Sequence, residues 1–254
     1  MRRRHLPGSS PSSPPGSTGT DHPAAASDSQ IAFPVSNGHL SPAAQMRRTL
    51  DQLLSQQVRP VLKQRGFTKS GRRFLRQRGP LYDLIDVQGS KWNAVTPHHG
   101  FFVNIGVGST EIDAVYRNPG NPNRPEYVLY TRWETLLPGM PRETTFDQST
   151  DMVFFAELFI GALRRLLDVI DPIDSSPGLA QWAVQRNLLN RMEKVCAYLA
   201  ATDDIDSLAR YVSRIRQRLA DDRRWPTVNR TILDVIGPVG PAFVEQGLLD
   251  PPTP

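Results

Sequence analysis

The order of hydrophobic patterns predicts an α+β protein. One amphipathic helical segment comes first, then short period-two segments with hairpin-length links, then a series of helical segments. A parallel α/β fold would alternate the two patterns along the chain, and this one does not. The expected architecture is an antiparallel sheet of about four to five strands packed by helices, with additional C-terminal helices.

Residues 1–40 are rich in Ser, Pro, Gly and Ala and nearly lack large apolar side chains. Such a segment buries too little surface to offset its ordering entropy, so a disordered tail is expected. Ser41-Pro42 then reads as a helix cap followed by proline at the first helical position. Leu50, Leu53, Leu54, Val58, Val61 and Leu62 follow at helical spacing, with a kink expected near Pro60 and an end at Gly66. Residues 74–78 and 81–88 are strands separated by the turn signal Gly79-Pro80. Phe101, Val103, Ile105 and Val107 alternate with Phe102, Asn104, Gly106 and Gly108, the clearest strand in the chain. A Pro/Asn/Gly loop over 118–125 leads to a strand over 127–133. Residues 151–170 are apolar enough to form the central helix across the sheet. Ser176-Pro177 opens a helix running to about Ala200, and residues 204–219 and 227–236 form two more, the last ending at Gly237-Pro238. The expected domains are a tail over 1–40, an α+β domain over 41–172, and a helical extension over 173–254, packed on it or appended to it.

Composition narrows the function. The net charge of +5 hides a split: residues 46–78 hold ten basic side chains and one acid, Asp51. A local basic surface of that kind points to an anionic partner without identifying it. The single Cys196 cannot form an internal disulfide, which fits a reducing compartment, and its apolar neighbours suggest a buried structural thiol. No stretch approaches the roughly 20 apolar residues of a membrane span. Arg2, Arg3 and Arg4 are followed by His, Pro, Gly and Ser rather than an apolar run, so no secretory signal is read and the cytoplasm is the expected location.

The chemistry-bearing residues give no catalytic assignment. His98-His99 is read as a loop pair, because neither Cys nor a further His stands at zinc spacing. Asp83, Asp86, Gln88 and Lys91 have the residue types of a metal-dependent nuclease. However, the two aspartates have opposite parity on a strand, and the run from Gln88 to Lys91 is one residue too long. Gly106-Val107-Gly108 ends a strand but is read as not leading into a helix, so a dinucleotide site is unsupported and no cofactor is implied. Two groups of binding candidates are left. Gln88, Lys91, Trp92 and Asn104 form the first: Asn104 interrupts an apolar strand pair and needs partners, which Gln88 can supply. This is either a structural hydrogen bond across the sheet or a shallow polar pocket with Trp92 as wall and Lys91 as anion contact. Arg72, Arg73, Arg76 and Arg78 form the second. Arginine forks suit phosphate oxygens, and the competing reading is an edge strand charged against sheet-to-sheet association.

An ordered series of short motifs adds a family. Val61-Leu62 precedes Arg65-Gly66-Phe67, Phe74 opens a strand, and Gln88 follows a hydrophobic strand before Ser90-Lys91-Trp92. Phe102-Val103-Asn104-Ile105-Gly106 and then Arg132-Trp133 continue it. In these residues the chain resembles the bacterial domain of unknown function family 4304, over roughly residues 50–170. The resemblance implies a small α+β domain and no particular activity. The function expected from all of this is a non-enzymatic interaction or accessory protein with a protein partner. The second reading is a nucleic-acid or polyanion binder acting through residues 46–78, and the third a metal-dependent hydrolase or nuclease. No membrane partner is expected.

Overall fold

In the computed structural model, residues 40–116 and 125–252 are described. The expected tail, apart from Leu40, and nearly all of the loop over 118–125 lie outside them. Ser41 caps α1 (Pro42–Gln52) by accepting the Ala44 N–H, and Pro42 occupies a position whose N–H would have no helical partner. The chain widens into a π-helical stretch (Leu53–Val58), closed by the Arg59 N–H on the Leu54 carbonyl, and resumes as α2 (Arg59–Gln64). The kink expected at Pro60 takes this form: proline has no N–H and crowds the carbonyl four residues back, and the wider turn before it relieves the crowding.

The sheet follows as β1 (Thr68–Ser70), β2 (Arg73–Arg78), β3 (Leu81–Gly89), β4 (His99–Ser109), β5 (Leu129–Arg132) and β6 (Thr144–Phe146). It is antiparallel throughout, in the order β1-β2-β3-β4-β5. β6 pairs with the start of β4, at His99–Phe101, while β5 pairs with its later half. The expected α+β class and antiparallel sheet therefore hold, with six strands where about four to five were expected. Two three-residue strands, β1 and β6, are additions to the sequence reading, and β1 means that β2 is not an edge strand.

Alternate residues separate the two faces. On the inner face Phe74, Ile85, Val87, Phe101, Val103, Ile105 and Val107 are buried. Helix α5 (Met152–Ile170) lies on this side: the Phe159 ring meets Phe101 edge-on at 5.5 Å between centroids, as well as Trp133 at 5.7 Å. On the outer face Gly106 and Gly108 leave room for two tyrosines. A Cβ at Gly106 would stand 2.6 Å from the Tyr127 ring, and one at Gly108 2.3 Å from Tyr82. A helix does follow these glycines, contrary to the reading above. It is α3 (Thr110–Val115), capped by Ser109, which accepts the N–H groups of Glu111 and Ile112. The space the glycines leave is filled by tyrosine rings, so there is no phosphate loop here.

A one-turn α4 (Trp133–Leu136) links β5 to the segment before β6. Beyond α5, the single helix expected from Ser176 to about Ala200 is two: α6 (Ser176–Arg186) and α7 (Met192–Ala201). Asn187 ends α6 in the left-handed conformation that asparagine tolerates, and the Asn190 amide donates to the Tyr127 carbonyl, fixing the break to the sheet. Then come α8 (Ile205–Leu219), α9 (Trp225–Ile236) and, after a 3-10 turn at Gly237–Val239, the short α10 (Gly240–Glu245). Cys196 is fully buried on α7, and burial pushes its thiol up. From Leu40 onward the chain is one compact unit. Among the described residues no helix is long and apolar enough to cross a membrane.

Candidate functional site: a basic cleft at one end of the sheet

The cap of α1 brings the first turn of that helix over the end of the sheet where β3 leaves and β4 begins. Between them is a cleft of roughly 420 Å³. Ser41, Ala43, Ala44 and Arg47 line it from α1, and Arg72 from the turn before β2. Gly89, Ser90, Lys91, Asn93 and Ala94 line it from the loop after β3, and His99 from the start of β4. Three permanent cations and a helix N-terminus, which carries partial positive charge, thus face one space. None of the described residues lining it is acidic. The nearest counter-charge is Asp51 on α1, 2.7 Å from Arg72 Nε and half exposed. Arg72 passes directly over Gly89: its Nη1 would stand 3.2 Å from a Cβ there.

The loop from Ser90 to His98 is held by Asn93. Its Oδ1 accepts the Gly100 N–H at 2.7 Å, and its Nδ2 donates to the Gly100 carbonyl at 2.9 Å and meets His99 Nε2 at 3.2 Å. The Gly100 N–H can only donate, which fixes the orientation of the amide. Nδ2 is then a donor, Nε2 of His99 must accept, and the imidazole proton resides on Nδ1. That Nδ1 is buried and has no partner. Burial, and then the positive charges of Arg72 and Arg47, hold His99 below its ordinary pKa, with Asp51 opposing in part. The ring is therefore neutral, with a donor that lacks an acceptor. His99 was expected in a loop. It is instead the first residue of β4, 2% exposed, with the parity of Phe101 and Val103 and its ring against Phe146.

The eight residues singled out in the sequence fall in three places. Arg72 and Lys91 line the cleft, and Trp92, next to Lys91 but not among the lining residues, is 57% exposed with Lys91 Nζ 4.7 Å from its ring centroid. Arg73, Gln88 and Asn104 lie on the outer face. Asn104 donates to Gln88 Oε1 at 3.2 Å, a hydrogen bond across the sheet, and Arg73 reaches Asp86 at 3.4 Å. Arg76 and Arg78 lie on the inner face toward its opposite end, about 13–20 Å along the chain from Arg72 at ~3.3 Å per residue. Their guanidinium groups are occupied by this chain. Arg76 donates to Asp83 at 2.7 Å and to Asp171 at 2.6 Å. Arg78 donates to both oxygens of Asp83 and, at 2.6 Å, to the Ile173 carbonyl just past α5. Asp83 is fully buried beneath them, while Asp86 is on the other face, as its parity requires. The nuclease-like set is thereby divided between two faces, and among the described residues no group of three or more His, Cys, Asp or Glu could hold a metal ion. Sequence reasoning missed His99, Asn93 and the first turn of α1 as parts of one site. The parity of His99 with Phe101 was the available signal for the first of these.

Fold and cleft define an α+β domain with a small cationic recess and no assembled acid–base or nucleophilic machinery among its lining residues. Residues 58–164 match the family described as Domain of unknown function (DUF4304), so the chain is similar to that family through the sheet and most of α5. Arg72, Lys91, Asn93 and His99 lie inside the matched stretch, whereas Ser41, Ala43, Ala44 and Arg47 precede it. No curated protein and no solved structure matches the chain.

Proposed function

We propose that this protein is a non-catalytic binding module that seats an anion of the phosphate class in the basic cleft. The observation that carries the reading is the convergence of Arg47, Arg72, Lys91 and the N-terminus of α1 on one recess that has no acidic lining. Such groups bind phosphate oxygens by charge-assisted hydrogen bonds. Titration calorimetry of the full chain with inorganic phosphate at low salt tests the reading. Binding is expected, weakened about tenfold or more by Arg47→Ala or Lys91→Ala, since a hydrogen bond to a charged group contributes roughly 1.5–3 kcal/mol. Both residues are exposed, so neither change should alter folding. Absence of heat, and of amide shift changes around Lys91 and His99 at millimolar phosphate, would sink the proposal.

The exposed Trp92 beside Lys91 favours a second reading, in which the phosphate belongs to a single-stranded nucleic acid whose base stacks on the indole. A short oligonucleotide should then bind more tightly than inorganic phosphate, and Trp92→Ala should remove only that advantage.

A further inference from the structure

We propose that the outer face of α5 is the contact between two copies of this chain, crossing antiparallel about a twofold axis at Gly161. Val153, Phe154 and Leu158 are 49%, 59% and 58% exposed, a cluster of large apolar side chains on the first two turns of a helix whose other side is the core of the protein. Residues 154, 157, 158, 161, 164 and 165 share this outward side at helical spacing. Gly161 lies at its middle. A Cβ added there would meet nothing within 4 Å among the described residues. None of the described residues therefore requires glycine in the interior of this helix, where alanine is the better residue. Close approach of a second helix does require it.

Charge selects the occupant and its direction. Glu157 stands four residues before Gly161 and Arg165 four after, both exposed, with Arg164 beside Arg165. In an antiparallel crossing at Gly161, Glu157 of each copy faces the partner's Arg165, and Leu158 lies against the stem of the partner's Arg164. A parallel crossing would set glutamate on glutamate and arginine on arginine. A face that is complementary to itself under a twofold axis is what an isologous dimer needs.

Sedimentation equilibrium of the full chain over a wide concentration range is the test. The mass should rise from 28.4 kDa toward twice that value. Leu158→Glu and Gly161→Leu should each weaken association at least tenfold while leaving the thermal midpoint of the dilute protein unchanged or higher. Glu157→Arg should weaken it as well, and adding Arg165→Glu to that chain should restore it. A mass of 28.4 kDa at every concentration overturns the proposal, as does a dimer indifferent to Leu158→Glu or to the charge reversals.

Discussion

Asn93 decides where the proton of His99 sits, and that has a consequence for stability. The folded-state pKa of His99 is depressed, by burial first and then by Arg72 and Arg47. As pH falls below the ordinary histidine value of about 6.5, the unfolded chain takes up the proton before the folded one. The stability tied to neutral His99 is thus complete above that value and is lost as pH falls toward the depressed folded pKa. Urea midpoints measured from pH 8 down to pH 5 should decline more steeply for the natural chain than for His99→Gln. Parallel profiles would mean that His99 is not held neutral. At the same scale, Asp83 holds both Arg76 and Arg78 in a buried network, so Asp83→Ala leaves Arg78 without a carboxylate and Arg76 with Asp171 alone. It should cost about 3–5 kcal/mol. Arg73→Ala removes the exposed partner of a looser pair with the half-buried Asp86 and should cost about 1 kcal/mol, read from the same urea series. Charge counting over residues 46–78 found Arg72 because local composition carries that information, while Lys91 was reached through the polar group of Gln88, Trp92 and Asn104. The count did not distinguish Arg72 from Arg76 and Arg78. One of the two carboxylates that engage Arg76 is Asp171, 95 residues away, and only the packing of α5 brings it there.

Elements with strong periodicity were readable. β4 carries clean alternation, and α5 carries an apolar stripe beneath its exposed face, so their positions followed from spacing, while β3 was placed with the help of the Gly79-Pro80 turn. β1 and β6 have three residues each, too few to show a period; they exist because β2 and β4 offer free edges to pair with. The break between α6 and α7 was hidden because Leu188 and Leu189 continue the helical spacing through it. Its cause is the left-handed turn at Asn187 and the hold that Asn190 takes on the Tyr127 carbonyl. The two faces of β4 make separate predictions. Phe159→Ala opens a cavity where α5 meets Phe101 and should cost about 3–5 kcal/mol. Gly106→Val drives a side chain into the Tyr127 ring on the other face and should cost about 1–3 kcal/mol by overpacking. Val95→Ala, 76% exposed, is the control and should leave the denaturation midpoint in place. Equal midpoints for Phe159→Ala and the natural chain would refute the packing of α5 on the sheet.

At the scale of the whole molecule, one lysine ties the last helices to the sheet. Lys194 on α7 is 1% exposed, and its ammonium is held by Asp113 of α3 and by Glu126, 3.2 Å away, just before β5. Arg191 adds a second cation to Glu126 at 3.1 Å. Asp113 in turn accepts the hydroxyl of Tyr82 from β3 at 2.6 Å, and burial followed by that bond pushes the phenol well up, so it remains a donor. Removing this ammonium takes Asp113's cation away and leaves Glu126 with Arg191, and Lys194→Ala should cost about 3–5 kcal/mol. Neutralising the cluster together, as Lys194→Met with Asp113→Asn and Glu126→Gln, should recover part of that loss, because a buried ion pair contributes little over an apolar replacement while a broken one is expensive. The same variants test how far residues 176–252 depend on the sheet. Trp133 packs against α5 and Trp225 opens α9, so chains retaining one of these as the sole tryptophan, with Trp92, Trp182 and the other replaced, report on the two halves by fluorescence. In Lys194→Ala both signals should shift to lower urea by the same amount, in a single transition. A Trp225 signal that moves while Trp133 stays would show that the C-terminal helices unfold as a body of their own.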